Sequence, residues 1–152
     1  MKEALLQILY AFIGSAGFAL IFGQKMLSRV LPAALGGGLV WAVYLMGEHF
    51  GAGIFFAALG SGVFSGLWGE ILARTLKAPA TVFQAVAVIP LIPGSGLYYT
   101  MNSILRRDWQ DLRHYGSGTL LCALGIAAGI SLVSALTYML SKALSRQRKT
   151  KQ

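Results

Sequence analysis

Five long stretches without a single charge set the terms for any fold of this chain: Ala4–Phe22, Val30–Gly47, Phe50–Gly69, Ala78–Leu105 and Tyr115–Ser141. A bilayer core about 30 Å thick asks for about 20 mostly apolar residues of helix. Stretches of that length leave no room for a water-soluble domain in 152 residues. Composition agrees, because 12% of the residues are charged where a soluble domain carries roughly 25%. The expected class is all-α: a polytopic membrane helix bundle, one transmembrane domain over residues 1–152. Its helices are expected near 4–22, 30–46, 53–73, 81–105 and 117–140, with 141–152 as a basic tail.

Lys2 ahead of an apolar run and the small residues Gly14-Ser15-Ala16 raise the alternative of a cleaved signal peptide. Glu3 offsets the one Lys, there is no A-x-A site, and the run continues to Phe22, so a retained first helix is expected. Cys122 is the single cysteine and has no partner for an internal disulfide. His49 and His114 lack metal-ligand spacing, so no metal site or cofactor is expected.

The net charge of +8 does not point to nucleic acid, because its distribution follows the membrane. With the N-terminus outside, the inner side holds nine basic residues: Lys25, Arg29, Arg74, Lys77, Lys142, Arg146, Arg148, Lys149 and Lys151. The outer side holds Lys2, Arg106, Arg107 and Arg113. The side richer in Lys and Arg is cytoplasmic, which predicts N-out and C-in, in the cell membrane. The basic tail then lies against anionic lipid. Arg106–Gly116 is expected as the longest loop, with Trp109 and Tyr115 as interfacial anchors.

Small residues recur at helical spacing in two helices: Ala58, Gly62, Ser65 and Gly69, and then Gly118, Cys122, Gly125 and Gly129. Such stripes let helices pack closely in lipid.

The most informative run is IPLIPGSGLYYTM, residues 89–101. Pro90 and Pro93 lack an N–H and clash with the carbonyls of Val86 and Ile89. They push Ile89 and Ile92 out of the α region. A half-helix to about Ile89 and a second from about Ser95 are expected, with the break near the midplane. Broken backbone is tolerated in a membrane only against protein or a water-filled cavity. The start of the second half-helix offers free N–H groups near Gly94–Leu97 and the positive end of a dipole, which suits an anion. Pro90, Pro93, Gly94, Ser95 and Gly96 are therefore candidate substrate-binding positions. Tyr98, Tyr99, Thr100 and Asn102 follow, either as further contacts or as helix-to-helix bonds. Glu70 lies four residues before Arg74, which reads as a structural ion pair or as a coupling element. No nucleophile–base constellation or phosphate loop is present, so no enzyme is expected.

The segment PATVFQAVAVIPLIPGSGLYYTM resembles the Pro-Gly signature of the threonine/serine exporter family, in particular the small membrane subunit of its split, two-component forms. GSAGFALIFGQ with the basic turn after it is similar to that subunit's first helix. The resemblance implies a five-helix subunit working with a larger membrane partner of the same family. It implies export of threonine and serine, or of a dicarboxylate such as succinate. It carries over the positions Pro90, Pro93 and Gly94. A non-transporting scaffold for a partner membrane protein is the alternative.

Overall fold

The computed structural model describes residues 2–24 and 26–150, with side chains as far as Lys142. Lys25 and the side chains of Arg146, Arg148, Lys149 and Lys151, which the charge count used, lie outside the described residues. The described chain is helical: α1 Lys2–Ile21, α2 Leu27–His49, α3 Gly53–Leu76, α4 Ala80–Val88, a 3-10 turn Ile89–Leu91, α5 Gly94–Arg106 and α6 Trp109–Thr150. Four of the described helices are long and apolar enough to cross a membrane, and a fifth span is reached if the pair joined at the break, Ala80–Leu91 and Gly94–Arg106, bent by 54°, counts as one.

Pro32 falls in the second turn of α2 because the helix begins earlier than expected, at Leu27. The expected loop 106–116 is corrected to a two-residue link. Arg107 takes the left-handed conformation, φ 56°, that closes α5. Asp108 Oδ1 then accepts the N–H groups of Gln110 at 3.0 Å and Asp111 at 3.1 Å. That carboxylate satisfies two of the orphan donors of the next helix. Trp109 and Tyr115 therefore sit on α6 itself.

α3 is the centre of the bundle, packing on α2, α4 and α6, while α1 covers α2 and α4. Ala58 and Gly62 of the α3 stripe meet Gly125 and Gly129 of the α6 stripe, while Ser65 and Gly69 face α4. A Cβ placed on Gly62 would lie 2.7 Å from Ile126 O. One on Gly125 would lie 2.5 Å from Phe55 O, and one on Gly129 2.5 Å from Leu59 O. Without a hydrophobic force between helices in lipid, this close approach is what drives their association, aided by Cα–H···O contacts.

The same contacts set direction. Gly118 lies beside Ile54, Gly129 beside Val63, and Val133 beside Gly66, so α6 runs parallel to α3. α4 runs antiparallel to α3, with Ala80 O against Gly69 and Gln84 O accepting from Ser65 Oγ at 3.3 Å. The bent pair thus leads from the Leu76 end of the bundle to the Gly53 end. Lys2 and Arg106–Arg113 share the Gly53 end, and Arg29, Arg74, Lys77 and Lys142 the other.

The break is not halfway. Leu91 packs with Ala58 and Cys122, which at 1.5 Å per residue is roughly 8 Å from Gly53 and roughly 27 Å from Leu76 along α3. The reason is the turn at Lys77 (φ 50°). It folds back so tightly that Ala80 already lies level with Gly69, and α4 starts well inside the bundle.

Candidate functional site

Two prolines remove two backbone donors, and the freed carbonyls find other partners. Val86 O, opposite Pro90, accepts the Ser15 hydroxyl of α1 at 3.3 Å. Ile89 O, opposite Pro93, accepts the Ile92 N–H at 3.1 Å. Leu91 O faces the Cys122 thiol at 3.7 Å. Ile92 is extended, as a residue before proline should be. Ile89, expected to leave the α region as well, stays in it at φ −50°, ψ −45°. The 3-10 turn absorbs the Pro90 clash without an extended residue.

α5 begins directly after Pro93, and its first donors are unequal. The Gly94 N–H is spent on Ile92 O at 2.7 Å, and the Leu97 N–H on Pro93 O at 2.9 Å. The N–H groups of Ser95 and Gly96 have no carbonyl partner among the described residues. The four-residue donor site expected over Gly94–Leu97 therefore narrows to Ser95 and Gly96.

These two residues and Pro93 line a cavity of about 280 Å³. α2 contributes Tyr44 and α3 contributes Ile54. α6 contributes the rest: His114, Tyr115, Gly118, Thr119 and Cys122. The cavity's volume lies at the lower edge of the range for ligand pockets, about 300–1,000 Å³. Its upper wall is built from close fits. Thr119 Oγ1 bonds back to Tyr115 O at 2.7 Å and lies against the Gly96 Cα. Tyr115 stacks on Tyr99 with ring centres 5.0 Å apart. Behind Tyr44, its hydroxyl donates to Glu48 Oε1 at 3.0 Å.

The other expected positions are placed differently. Pro90 lines a separate hollow of about 300 Å³ with Gln7, Tyr10, Ala11 and Trp41. Gly94 has open space around it. Tyr98 is exposed, edge-on to Tyr99 at 5.4 Å. Tyr99 supports the wall through Tyr115, and Thr100 Oγ1 bonds Gly96 O at 2.7 Å. Asn102 is half-buried, outside the cavity lining. Glu70 and Arg74 pair loosely at 3.9 Å with the Arg74 side chain 72% exposed, at the far end of the bundle from the cavity. A broader hollow of about 830 Å³ at Trp109–His114 is bounded by a single helix and encloses nothing.

Sequence reasoning missed Tyr44, Ile54, His114 and Thr119, and read Tyr115, Gly118 and Cys122 as an interfacial anchor and a packing stripe, not as cavity lining. His114 and Gly118, with Tyr115 and Thr119, repeat at four-residue spacing and so share one face of a helix. That signal was obscured by reading 106–116 as a loop.

The model of the family described as Threonine/Serine exporter, ThrE, matches residues 7–136, from α1 through the cavity-lining part of α6. No solved structure matches the chain.

Proposed function

The chain belongs to the threonine/serine exporter family, and on that premise we propose that it is the membrane subunit of an exporter whose solute binds by its carboxylate at the start of α5. It is a multi-pass membrane protein of a transporter family, not an enzyme. The observation that carries the proposal is the pair of unspent N–H groups, Ser95 and Gly96, on the wall of a cavity of about 280 Å³. Backbone donors at the end of a half-helix suit an anion. Threonine and serine are the solutes we assign first, and a dicarboxylate such as succinate second.

A larger membrane subunit of the same family is the proposed partner. Two exposed regions support it. α5 buries Ser103 alone and leaves Tyr98, Met101 and Leu105 uncovered. On the other face, the exposed Gln7 bonds the Trp41 indole at 3.3 Å, and the Tyr10 hydroxyl beside it has no partner among the described residues. Polar groups facing hydrocarbon cost several kcal/mol each, a cost that protein packed against this face removes.

Inside-out membrane vesicles from cells expressing the full chain from its native locus test the function. They should accumulate radiolabelled threonine and serine, and a chain that acts only as a scaffold gives no flux of any carboxylate-bearing solute. Pro93→Ala is expected to weaken threonine binding about tenfold, the scale of a charge-assisted hydrogen bond. It restores an N–H opposite Ile89 O and lets α4 run on toward α5, which draws the Ser95 and Gly96 donors into intrahelical bonds. Wild-type threonine affinity in that variant would remove the site.

For orientation we propose N-out and C-in in the cell membrane. Gln110→Cys in a Cys122→Ser background should react with impermeant thiol reagents added from outside. Serine at 122 keeps a donor toward Leu91 O. Labelling only after the cells are opened would invert the assignment.

A further inference from the structure

The two unspent donors of the cavity are unspent for different reasons. A continuous helix would bond the Ser95 N–H to Leu91 O and the Gly96 N–H to Ile92 O, each four residues back. Ile92 O is taken inside the break itself. Pro93, at φ −76° and ψ 62°, is the centre of an inverse γ-turn, which bonds the Gly94 N–H to Ile92 O at 2.7 Å. Leu91 O is held from outside. The Cys122 thiol of α6 donates to it at 3.7 Å, and no other side chain among the described residues donates there. Cys122 is 6% exposed, packs in one cluster with Leu91 and Ala58, and lines the cavity.

We propose that Cys122 is a positioning residue of the solute site: its thiol keeps Leu91 O away from the Ser95 N–H and so leaves that donor for the solute carboxylate. A thiol is a weak donor, but a buried carbonyl left without a partner is costly and takes what donor it can reach. Without the thiol, the donor in helical register with Leu91 O is the Ser95 N–H. That bond would extend α5 backward across the break and withdraw half of the anion site. The Gly96 N–H stays free, because the γ-turn that occupies Ile92 O owes nothing to α6.

The inference rests on the reading that this cavity holds the transported solute, and one arm of its test needs no solute. Hydrogen exchange is read residue by residue, by mass spectrometry, on the full chain purified from its native locus with any subunit that accompanies it. A bonded N–H exchanges more slowly than a free one. In Cys122→Ala, exchange at Ser95 should slow about threefold to tenfold, the scale of an ordinary hydrogen bond, while Gly96 exchanges as fast as in the wild type. Loosened packing would act in the opposite direction and speed exchange. Cys122→Val, which occupies the place of the sulfur without a donor, should repeat the result, and Cys122→Ser should reverse most of it. In the vesicles, threonine affinity should fall by a similar factor in the two donorless variants and recover in Cys122→Ser. Exchange at Ser95 that is unchanged or faster in both donorless variants overturns the role of Cys122 and leaves the cavity reading to stand on Pro93→Ala. Slower exchange with wild-type threonine affinity means that Ser95 does not meet the solute; the cavity reading then fails, and the role of Cys122 in it.

Discussion

A Gly129→Val chain is expected not to accumulate as a folded protein. The added Cβ would lie 2.5 Å from Leu59 O, 2.7 Å from Val63 N and 2.9 Å from the Gly62 carbonyl carbon. All three are backbone atoms of α3, so no side-chain rotation relieves the contact. The helices must part, and the neighbouring contacts at Gly125 and Gly62 are lost with them. Overpacking ordinarily costs about 1–3 kcal/mol, occasionally more, and a Cβ pressed on backbone atoms that cannot rotate away belongs at the upper end. α3 also holds α2 and α4, so the damage spreads beyond one seam. Size-exclusion chromatography of the detergent-solubilised chain after stepwise heating should show the monodisperse peak missing, or lost many degrees early. Gly60→Ala and Gly14→Ala are the controls. A Cβ at either position meets nothing within 4 Å, and both chains should melt with the wild type. A Gly129→Val protein with the same profile would mean that α3 and α6 do not meet along this seam.

Gly96→Val is expected to abolish transport with the chain still inserted and folded. A Cβ at Gly96 would press into Thr119 Oγ1. Thr119 has little room to turn, because its hydroxyl is bonded to Tyr115 O at 2.7 Å. α5 must move off α6 at the one place where its free N–H groups meet the cavity. The β-branched side chain would fill the approach to those donors as well. The bundle core around Phe83, Val86 and Ala33 lies elsewhere and keeps its packing. Threonine accumulation in vesicles should fall to background at unchanged membrane abundance. The contrast is Gly94→Ala, two residues away. Gly94 has open space and an N–H already spent on Ile92 O, so this variant should retain most of its flux. Equal flux through both variants would show that the start of α5 does not contact the solute.

The break was legible because its cause is local. Pro90 and Pro93 lack a donor wherever they stand, and no distant contact restores it. The stripes through Gly62 and Gly125–Gly129 were legible for a similar reason, since a bare backbone has few uses in a lipid-embedded helix other than close approach. The cavity was not. Its walls come from α2, α3, the break and α6, and nothing in the order of residues says that Tyr44 and Thr119 line one cavity. One part was readable and misread. Asp108 followed by Asp111 is a helix-start pattern, but a cluster of charges between two apolar runs looked like a solvated loop. The depth of the break had no sequence signal, because it depends on how tightly the turn at Lys77 returns α4 along α3.

The short α4 bears on how the chain enters a membrane as it is made. Nine helical residues and a three-residue turn reach roughly 20 Å, less than the hydrocarbon thickness of about 30 Å. The insertion machinery weighs segments by their own apolarity, and this one is marginal alone. α5 adds length but carries Tyr98, Tyr99, Thr100, Asn102 and Ser103. Its principal neighbour, α6, is synthesised afterward. Until Tyr115 and Thr119 have left the ribosome, α5 lacks the surface it packs on. The broken segment is therefore expected to settle last, once α6, which is long and apolar enough to insert by itself, offers it a surface. A nascent chain stopped near Arg106 should leave this region unsettled, and extension through α6 should secure it.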